Sequence, residues 1–186
     1  MHSYKEIESF SDWSNTDHDQ FSISVIKGLV MDATRRANSG HPGGPMSAID
    51  FAYILFKDYL RFDPKNPEWF NRDRFVLSGG HMSMLQYSLL CFIGWLKISD
   101  IKNFRQLNSR TPGHPEVEIP GVECTTGPLG QGFAMGIGMA LAESYLRDTL
   151  SIRSRSAKGL VDHFTYILAT DGDVQEPVTL GAASLA

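Results

Sequence analysis

The 186 residues contain only two cysteines, Cys91 and Cys124. Two thiols so far apart make neither a disulfide framework nor a zinc knuckle, so a reducing, cytoplasmic setting is expected. Cationic excess is also lacking: 17 Lys+Arg stand against 21 Asp+Glu, a formal net charge of -4, and no Lys/Arg run of five occurs. That balance argues against a nucleic acid or an anionic membrane surface as partner. No apolar run approaches the ~20 residues that a bilayer span requires. The longest, Leu85 to Leu96, is interrupted by Gln86 and Ser88 and reads as a buried helix. Met1 to Gln20 has neither the basic flank nor the apolar stretch of a leader, but carries Glu6, Glu8, Asp12, Asp17 and Asp19 against one lysine. No internal repeat is visible, and only one domain is arguable. With 42% hydrophobic residues, a chain of this length buries roughly two thirds of its unfolded surface, enough for a core without staples.

What is present alternates between two periods. Phe21 to Ala37 carries Phe21, Val25, Ile26, Leu29, Val30 and Ala33 at helical spacing, with Arg35 and Arg36 in the last turn, where cations suit the helix dipole. A second helix is expected from Met46 to Leu60, ahead of Pro64 and Pro67. Arg74 to Ser78 reads as a strand, Gly79-Gly80 as a sharp turn and His81 onward as a third helix. Ser99 is expected to cap a helix over Asp100 to Leu107. Asn108 to Gly127 follows without a period, and a loop approaching twenty residues inside a compact domain is more often functional than idle. Gly130 to Arg147 is a helix of small residues, Ser151 to Lys158 a solvated connection, and Phe164 to Ala169 a strand apolar enough to be covered on both faces. Val178 begins a last helix. Strands alternating with helices define an α/β sheet with crossovers, whose ligand belongs beyond the carboxyl ends of the strands.

Three histidines, His41, His81 and His114, each follow a glycine in a breaker-rich segment, and two of them lie in Gly-His-Pro. A following proline disfavours the α region for the histidine, so each imidazole is presented from a stiff, extended loop. Such histidines serve equally as turn caps or as donors to an anionic or polyhydroxylated ligand with acid-base capacity near neutral pH. A His₃ zinc site is disfavoured because no two of them have the short spacing of zinc ligands. Gly127-Pro128-Leu129-Gly130-Gln131-Gly132 runs straight into a helix. Its glycine spacing is not the dinucleotide fingerprint, and Phe133 stands where a P-loop needs lysine. The segment reads either as a phosphate-seeking helix entry or as a turn into a closely packed helix. Asp171-Gly172-Asp173, at the end of a strand, offers hard oxygen ligands of the kind Mg²⁺ takes from one or two carboxylates. Glu176 and Ala182 occupy positions that exclude an EF-hand starting at Asp171. Together these elements suggest a diphosphate held through a divalent ion.

Four stretches carry a specific resemblance: Asn38-Ser39-Gly40-His41-Pro42-Gly43, Asn71-Arg72-Asp73-Arg74-Phe75-Val76-Leu77-Ser78, Ser109-Arg110-Thr111-Pro112-Gly113-His114-Pro115-Glu116, and Thr125-Thr126-Gly127-Pro128-Leu129-Gly130-Gln131-Gly132. In this order, over about Phe21 to Ala186, they closely resemble the amino-terminal diphosphate-binding domain of transketolases. The resemblance implies a parallel sheet with helices on both faces, the thiamine-diphosphate-binding fold, incomplete at the C-terminus. It also implies transfer of a two-carbon ketol unit from a ketose phosphate to an aldose phosphate, as in the pentose phosphate pathway. Thiamine diphosphate and Mg²⁺ or another divalent cation would be cofactors, sugar phosphates the substrates, and a homodimer the assembly of the complete protein.

By matching motif, His41 is implied to contact the substrate and assist proton transfer, His114 to bind the sugar hydroxyls or the same reacting oxygen, and His81 to approach the diphosphate. Gly127, Pro128 and Leu129 are implied to line the thiamine site, Asp171 to ligate the metal, Gly172 to admit the diphosphate to the backbone, and Glu176 to join a carboxylate network near the subunit contact. Two positions depart from the family: Thr170 replaces a glycine, which implies weaker cofactor binding, and Pro177 replaces another, mildly, since proline suits a first helical turn. Residues 1–20 read as an extension and 21–186 as a partial domain. The fifteen residues after Asp171 are too few for the next helix and strand, so the domain is expected to be cut before its end, with the metal motif's asparagine and the remaining domains beyond Ala186 or on a second chain. Two alternatives stand beside transketolase: a related ketol transferase such as dihydroxyacetone synthase, disfavoured by Ser109 to Pro115, and a catalytically silent binding module of the same fold.

Overall fold

A computed structural model describes residues 13–153 and 160–186. Helix α1 (Asn15–Ala37) begins upstream of Phe21 because Ser14 caps it: the Asp17 N–H donates to Ser14 Oγ at 3.2 Å, and the Ser14 N–H donates to Asp17 Oδ2 at 3.3 Å. Asn38, at φ 47°, ends it and donates its N–H to the Arg35 carbonyl. Helix α2 (Gly43–Ile54) starts directly after the first Gly-His-Pro and closes in a π-turn over Leu55–Tyr59. Strand β1 (Arg74–Leu77) leads through a 3-10 turn, Gly80–Met82, into α3 (Ser83–Phe92).

Helix α4 (Ile98–Lys102) differs from the expected Asp100–Leu107. Asp100 Oδ2 accepts the Lys97 N–H at 2.8 Å, which fixes the helix start ahead of Ser99. Arg105 and Asn108 then take φ of 59° and 60°, which no helix continues. A long irregular segment follows up to α5 (Gln131–Arg153), then β2 (Thr165–Leu168), α6 (Asp171–Gln175) and α7 (Pro177–Ala183). Of the expected connection over Ser151 to Lys158, the first three residues belong to α5 and the rest lies outside the described residues.

The two strands pair in parallel, Arg74 opposite Thr165 through Leu77 opposite Leu168. Side chains alternate between the sheet's faces. Phe75, Leu77, Tyr166 and Leu168 join Ile49, Phe56, Leu85 and Leu89 in a core shared with α1, α2 and α3. Val76 and Ile167 point to the opposite face, against α5, where Gly136 lets the helix in so closely that a Cβ there would stand 2.6 Å from Ile167 Cδ1. Helices therefore cover both faces, as expected. A second cluster, built on Val30, Met84, Tyr87, Leu90 and Phe104, joins α1 and α3 to the irregular segment. β2 is only half-buried, rather than covered on both sides, and Phe164 at its start is 64% exposed. β2 pairs with β1 on one edge, and no strand among the described residues pairs with the other.

The Asn71-to-Arg74 motif anchors the starts of both strands. Buried Asp73 accepts the Arg61 N–H at 2.9 Å and the Phe164 N–H at 2.8 Å, Arg72 pairs with Glu123, and Asn71 Nδ2 donates to Asp162 Oδ1 at 2.8 Å. The opposite, carboxyl ends of the strands are left free for a site.

Candidate functional site

At those carboxyl ends four segments meet: Ser78-Gly79-Gly80-His81 after β1, Thr170 to Asp173 after β2, the glycine-rich entry to α5, and the first turns of α2. The first three are held together by Asp173, whose residue surface is 0% exposed. Its Oδ1 accepts Ser78 Oγ–H at 2.8 Å and the Gly130 N–H at 2.7 Å, while its Oδ2 accepts the Thr170 N–H and Oγ–H, both at 2.8 Å. Burial alone would push this carboxyl up, but the hydrogen bonds from Gly130, Thr170 and Ser78 outweigh it and hold the group below the usual aspartate range. Asp173, one of two carboxylates in the sequence motif, thus has its oxygens engaged by the protein. Asp171 is exposed and is the carboxylate left for a ligand.

The glycine-rich segment resolves the same way. Of the orphan N–H groups at the start of α5, Gly130 donates to Asp173 and Phe133 donates to Ser78 Oγ at 2.9 Å. This helix entry serves close packing rather than phosphate. Gly132 lies so near β1 that an added Cβ would be 2.6 Å from Ser78 Cα.

A cavity of about 490 Å³ opens beside this knot, lined by His81, Leu129, Thr170, Asp171, Gly172 and Ser47 of α2, among others. Leu129 also packs on Gly172, where an added Cβ would meet Leu129 Cδ1 at 3.0 Å. Thr170 is the N-cap of α6 (φ -96°), its Oγ accepting the Asp173 N–H at 3.3 Å, and its methyl turns toward Gly79. A Cβ on Gly79 would stand 2.6 Å from Thr170 Cγ2. Gly79→Ala is therefore expected to cost about 1–3 kcal/mol by overpacking. Thr170→Ser, which keeps the capping hydroxyl and removes the methyl, is expected to cancel most of that cost in a double-mutant cycle read by urea unfolding.

The three sequence-flagged histidines converge. His41, exposed between α1 and α2, stands edge-on to half-buried His81 with ring centroids 5.3 Å apart. His114 comes from the irregular segment, its carbonyl accepting the Tyr87 hydroxyl at 2.9 Å. A Cβ on Gly127 would lie 3.5 Å from the His114 ring. Partial desolvation, then the charges of Arg105, His41 and His81, hold the His114 imidazole below its ordinary value, so it is neutral at pH 7. Pro128 is exposed at the glycine-rich turn and Glu176 lies between α6 and α7, its Cβ 2.8 Å from where a Cβ on Gly130 would stand. Among the described residues no three His, Cys, Asp or Glu side chains gather as a metal centre. Sequence reasoning did not single out Thr126, whose buried Oγ1 lacks a partner and lies 2.7 Å from where a Cβ on Gly80 would be, nor the part Ser78 plays in the knot. Both lie inside quoted motifs, but a hydroxyl's partner 95 positions away leaves no local signal.

The arrangement has three parts: a cavity with one free carboxylate and a glycine backbone, an apolar leucine wall, and a cluster of imidazoles beside it. In open α/β sheets a ligand binds in this place, in the crevice beyond the carboxyl ends of parallel strands. Residues 18–186 match the family described as transketolase, thiamine diphosphate binding domain, and the chain belongs to that family. It is 51% identical over 170 residues to a transketolase of Halalkalibacterium halodurans, an alignment covering 90% of this chain and 25% of that protein. A Staphylococcus epidermidis transketolase is 52% identical over 171 residues, covering 91% and 25%. Among solved structures, transketolase from Campylobacter jejuni superposes with a TM-score of 0.86 at 45% identity, covering 93% of this chain and 26% of that one. Transketolase from Leishmania mexicana superposes at 0.85 with 44% identity, covering 90% and 25%. The chain spans about a quarter of the length of these relatives.

Proposed function

We propose that this chain forms the diphosphate-binding part of a thiamine-diphosphate-dependent ketol transferase acting on sugar phosphates, in the manner of transketolase and the pentose phosphate pathway. The observation that carries the reading is the cavity itself, where Asp171, Gly172, His81 and Leu129 supply the donors and apolar wall that such a cofactor needs. Asp171 would hold Mg²⁺ or another divalent cation, a hard carboxylate suiting a hard ion that keeps phosphate and water ligands. Gly172 would admit the diphosphate to the backbone, and His81 would hydrogen-bond to it. Gly127, Pro128 and Leu129 would line the thiamine side. When bound, thiamine diphosphate supplies the electron sink for breaking and remaking the carbon–carbon bond.

The rest of the work belongs to side chains on this chain. His41 and His114, on proline-stiffened loops above the cavity, bind the sugar hydroxyls and move a proton to or from the reacting oxygen. A neutral His114 can take that proton on one ring nitrogen and return it once protonated, while its other ring N–H donates a hydrogen bond. Thr170 at the cavity wall lowers diphosphate affinity relative to a glycine there. The domain boundary expected at Phe21 moves upstream, since α1 runs unbroken from Asn15 and the family match begins at residue 18. Glu176 belongs to a carboxylate network at a subunit contact, the complete protein being a homodimer or drawing its other domains from a second chain. Two free cysteines, with Cys124 pushed up to about 11 by burial and the neighbouring Glu123, fit a reducing cytoplasm. No helix of the described residues is long and apolar enough to cross a membrane.

The test is titration calorimetry with thiamine diphosphate. Heat that requires Mg²⁺, competition by inorganic diphosphate, and an affinity loss of at least ~10-fold in Asp171→Asn are expected, that being the low end for losing even an outer-shell metal partner. Equal heats for thiamine and thiamine diphosphate would refute the assignment of the cavity.

A further inference from the structure

Arg105 sits just past α4 in a conformation that a bulky residue adopts only at a cost, φ 59°. Its backbone N–H donates to the Thr111 carbonyl at 2.9 Å, closing the loop that carries Gly113-His114-Pro115. Its side chain runs the other way. Nη1 donates to Ser39 Oγ at 3.0 Å, two residues before His41. The guanidinium lies 5.4 Å over the Phe104 ring and against Gly113, where a Cβ would be 3.1 Å from Cζ. Phe104 in turn abuts Gly40, its Cε1 3.1 Å from where a Cβ there would stand. Its buried Nε has no hydrogen-bond partner. A surface arginine with a free choice of partners has no reason to pay for this geometry.

We propose that Arg105 is a positioning residue for the histidine cluster, its guanidinium clamping the loop that carries His41 to the loop that carries His114. This rests on the reading that the cluster acts on a ligand in the adjoining cavity. A planar fork is suited to the task, since it stacks on Phe104 and Gly113 while one N–H reaches Ser39; lysine offers a point charge without the plane. The fixed charge has a second effect. The groups facing His114 are Arg105, His41 and His81, with Tyr87 bonded to its carbonyl and Glu116 acting on Tyr87. After desolvation, Arg105 is the largest influence holding the His114 imidazole neutral.

The test compares Arg105→Met and Arg105→Lys with the parent protein by NMR, following the imidazole titrations and exchange of the Ser39 amide, which is bonded to the Thr34 carbonyl at 3.2 Å. Arg105→Met is expected to shift the His114 midpoint upward and to lose Ser39 amide protection. Arg105→Lys, keeping the charge without the fork, is expected to leave the midpoint in place and still lose the protection. Unchanged midpoint and protection in Arg105→Met would overturn the proposal. Should that variant not fold, full Ser39 protection in Arg105→Lys would do so. Both readouts are made without ligand, so a failure of thiamine diphosphate to bind the parent protein is a separate result that bears on the function alone.

Discussion

Asp173→Ala is expected to be the most damaging single substitution in this domain, costing about 3–5 kcal/mol, because it strands buried donors that have no other acceptor. Ser78 Oγ, Gly130 N, Thr170 N and Thr170 Oγ all point at one carboxylate. These donors belong to the end of β1, the entry to α5 and the end of β2, so their loss separates the segments that shape the cavity. Urea unfolding measures the stability loss, and thiamine diphosphate calorimetry should show binding lost with it. The pH dependence has a definite sign. The folded-state carboxyl lies below its ordinary value, so its stabilisation is present above that ordinary value and is lost as pH falls through the lowered one. Asp173→Asn should therefore flatten the acid limb of the stability curve as well as lower its plateau. An unchanged acid limb would mean that Asp173 is not the group whose protonation loosens the site.

Gly132→Ala is expected to come next, at about 1–3 kcal/mol or more. The added Cβ would meet Ser78 Cα at 2.6 Å and Thr126 Cγ2 at 2.9 Å. The first of these is backbone at the end of a paired strand, and it cannot rotate away as a side-chain tip does. The start of α5 must move instead, drawing Gly130 N from Asp173 and Phe133 N from Ser78. Cofactor affinity should fall together with stability. Gly138→Ala is the control: it lies on the same helix with nothing within 4 Å of its added Cβ, and should be neutral or slightly stabilising. If both variants unfold at the same urea concentration, close approach at Gly132 is not what selects glycine there.

Much of this site was legible because its parts are local. The Gly-His-Pro loops, the glycine turn after β1 and the Asp-Gly turn after β2 each announce themselves in a few residues, and the strands' apolar runs place them at a sheet's carboxyl edge. What the sequence did not disclose are partnerships across the chain. The two carboxylates of Asp171-Gly172-Asp173 look alike in sequence, yet one is engaged by donors from residues 78 and 130 while the other is free. The helix entry at Gly130 to Phe133 resembles a phosphate cradle until the Gly130 amide is seen to bind Asp173 and the Phe133 amide Ser78. Ser99 is the cap that the local sequence favours for α4, yet the Asp100 carboxylate accepts the Lys97 N–H and starts the helix earlier, and β2 is half-buried with no strand among the described residues on its second edge. Arg105 carries no motif of its own, and its position between two histidine loops is a tertiary fact.

In the proposed function the cavity beside Asp171 receives the diphosphate of thiamine diphosphate through a divalent cation. This binding is tested most directly by following backbone amide shifts while thiamine diphosphate is titrated in with and without Mg²⁺. The expected result is a Mg²⁺-dependent response concentrated at His81, Leu129 and Gly172, lost in Asp171→Asn and absent with thiamine alone. A response centred elsewhere, or one undiminished in Asp171→Asn, would contradict it.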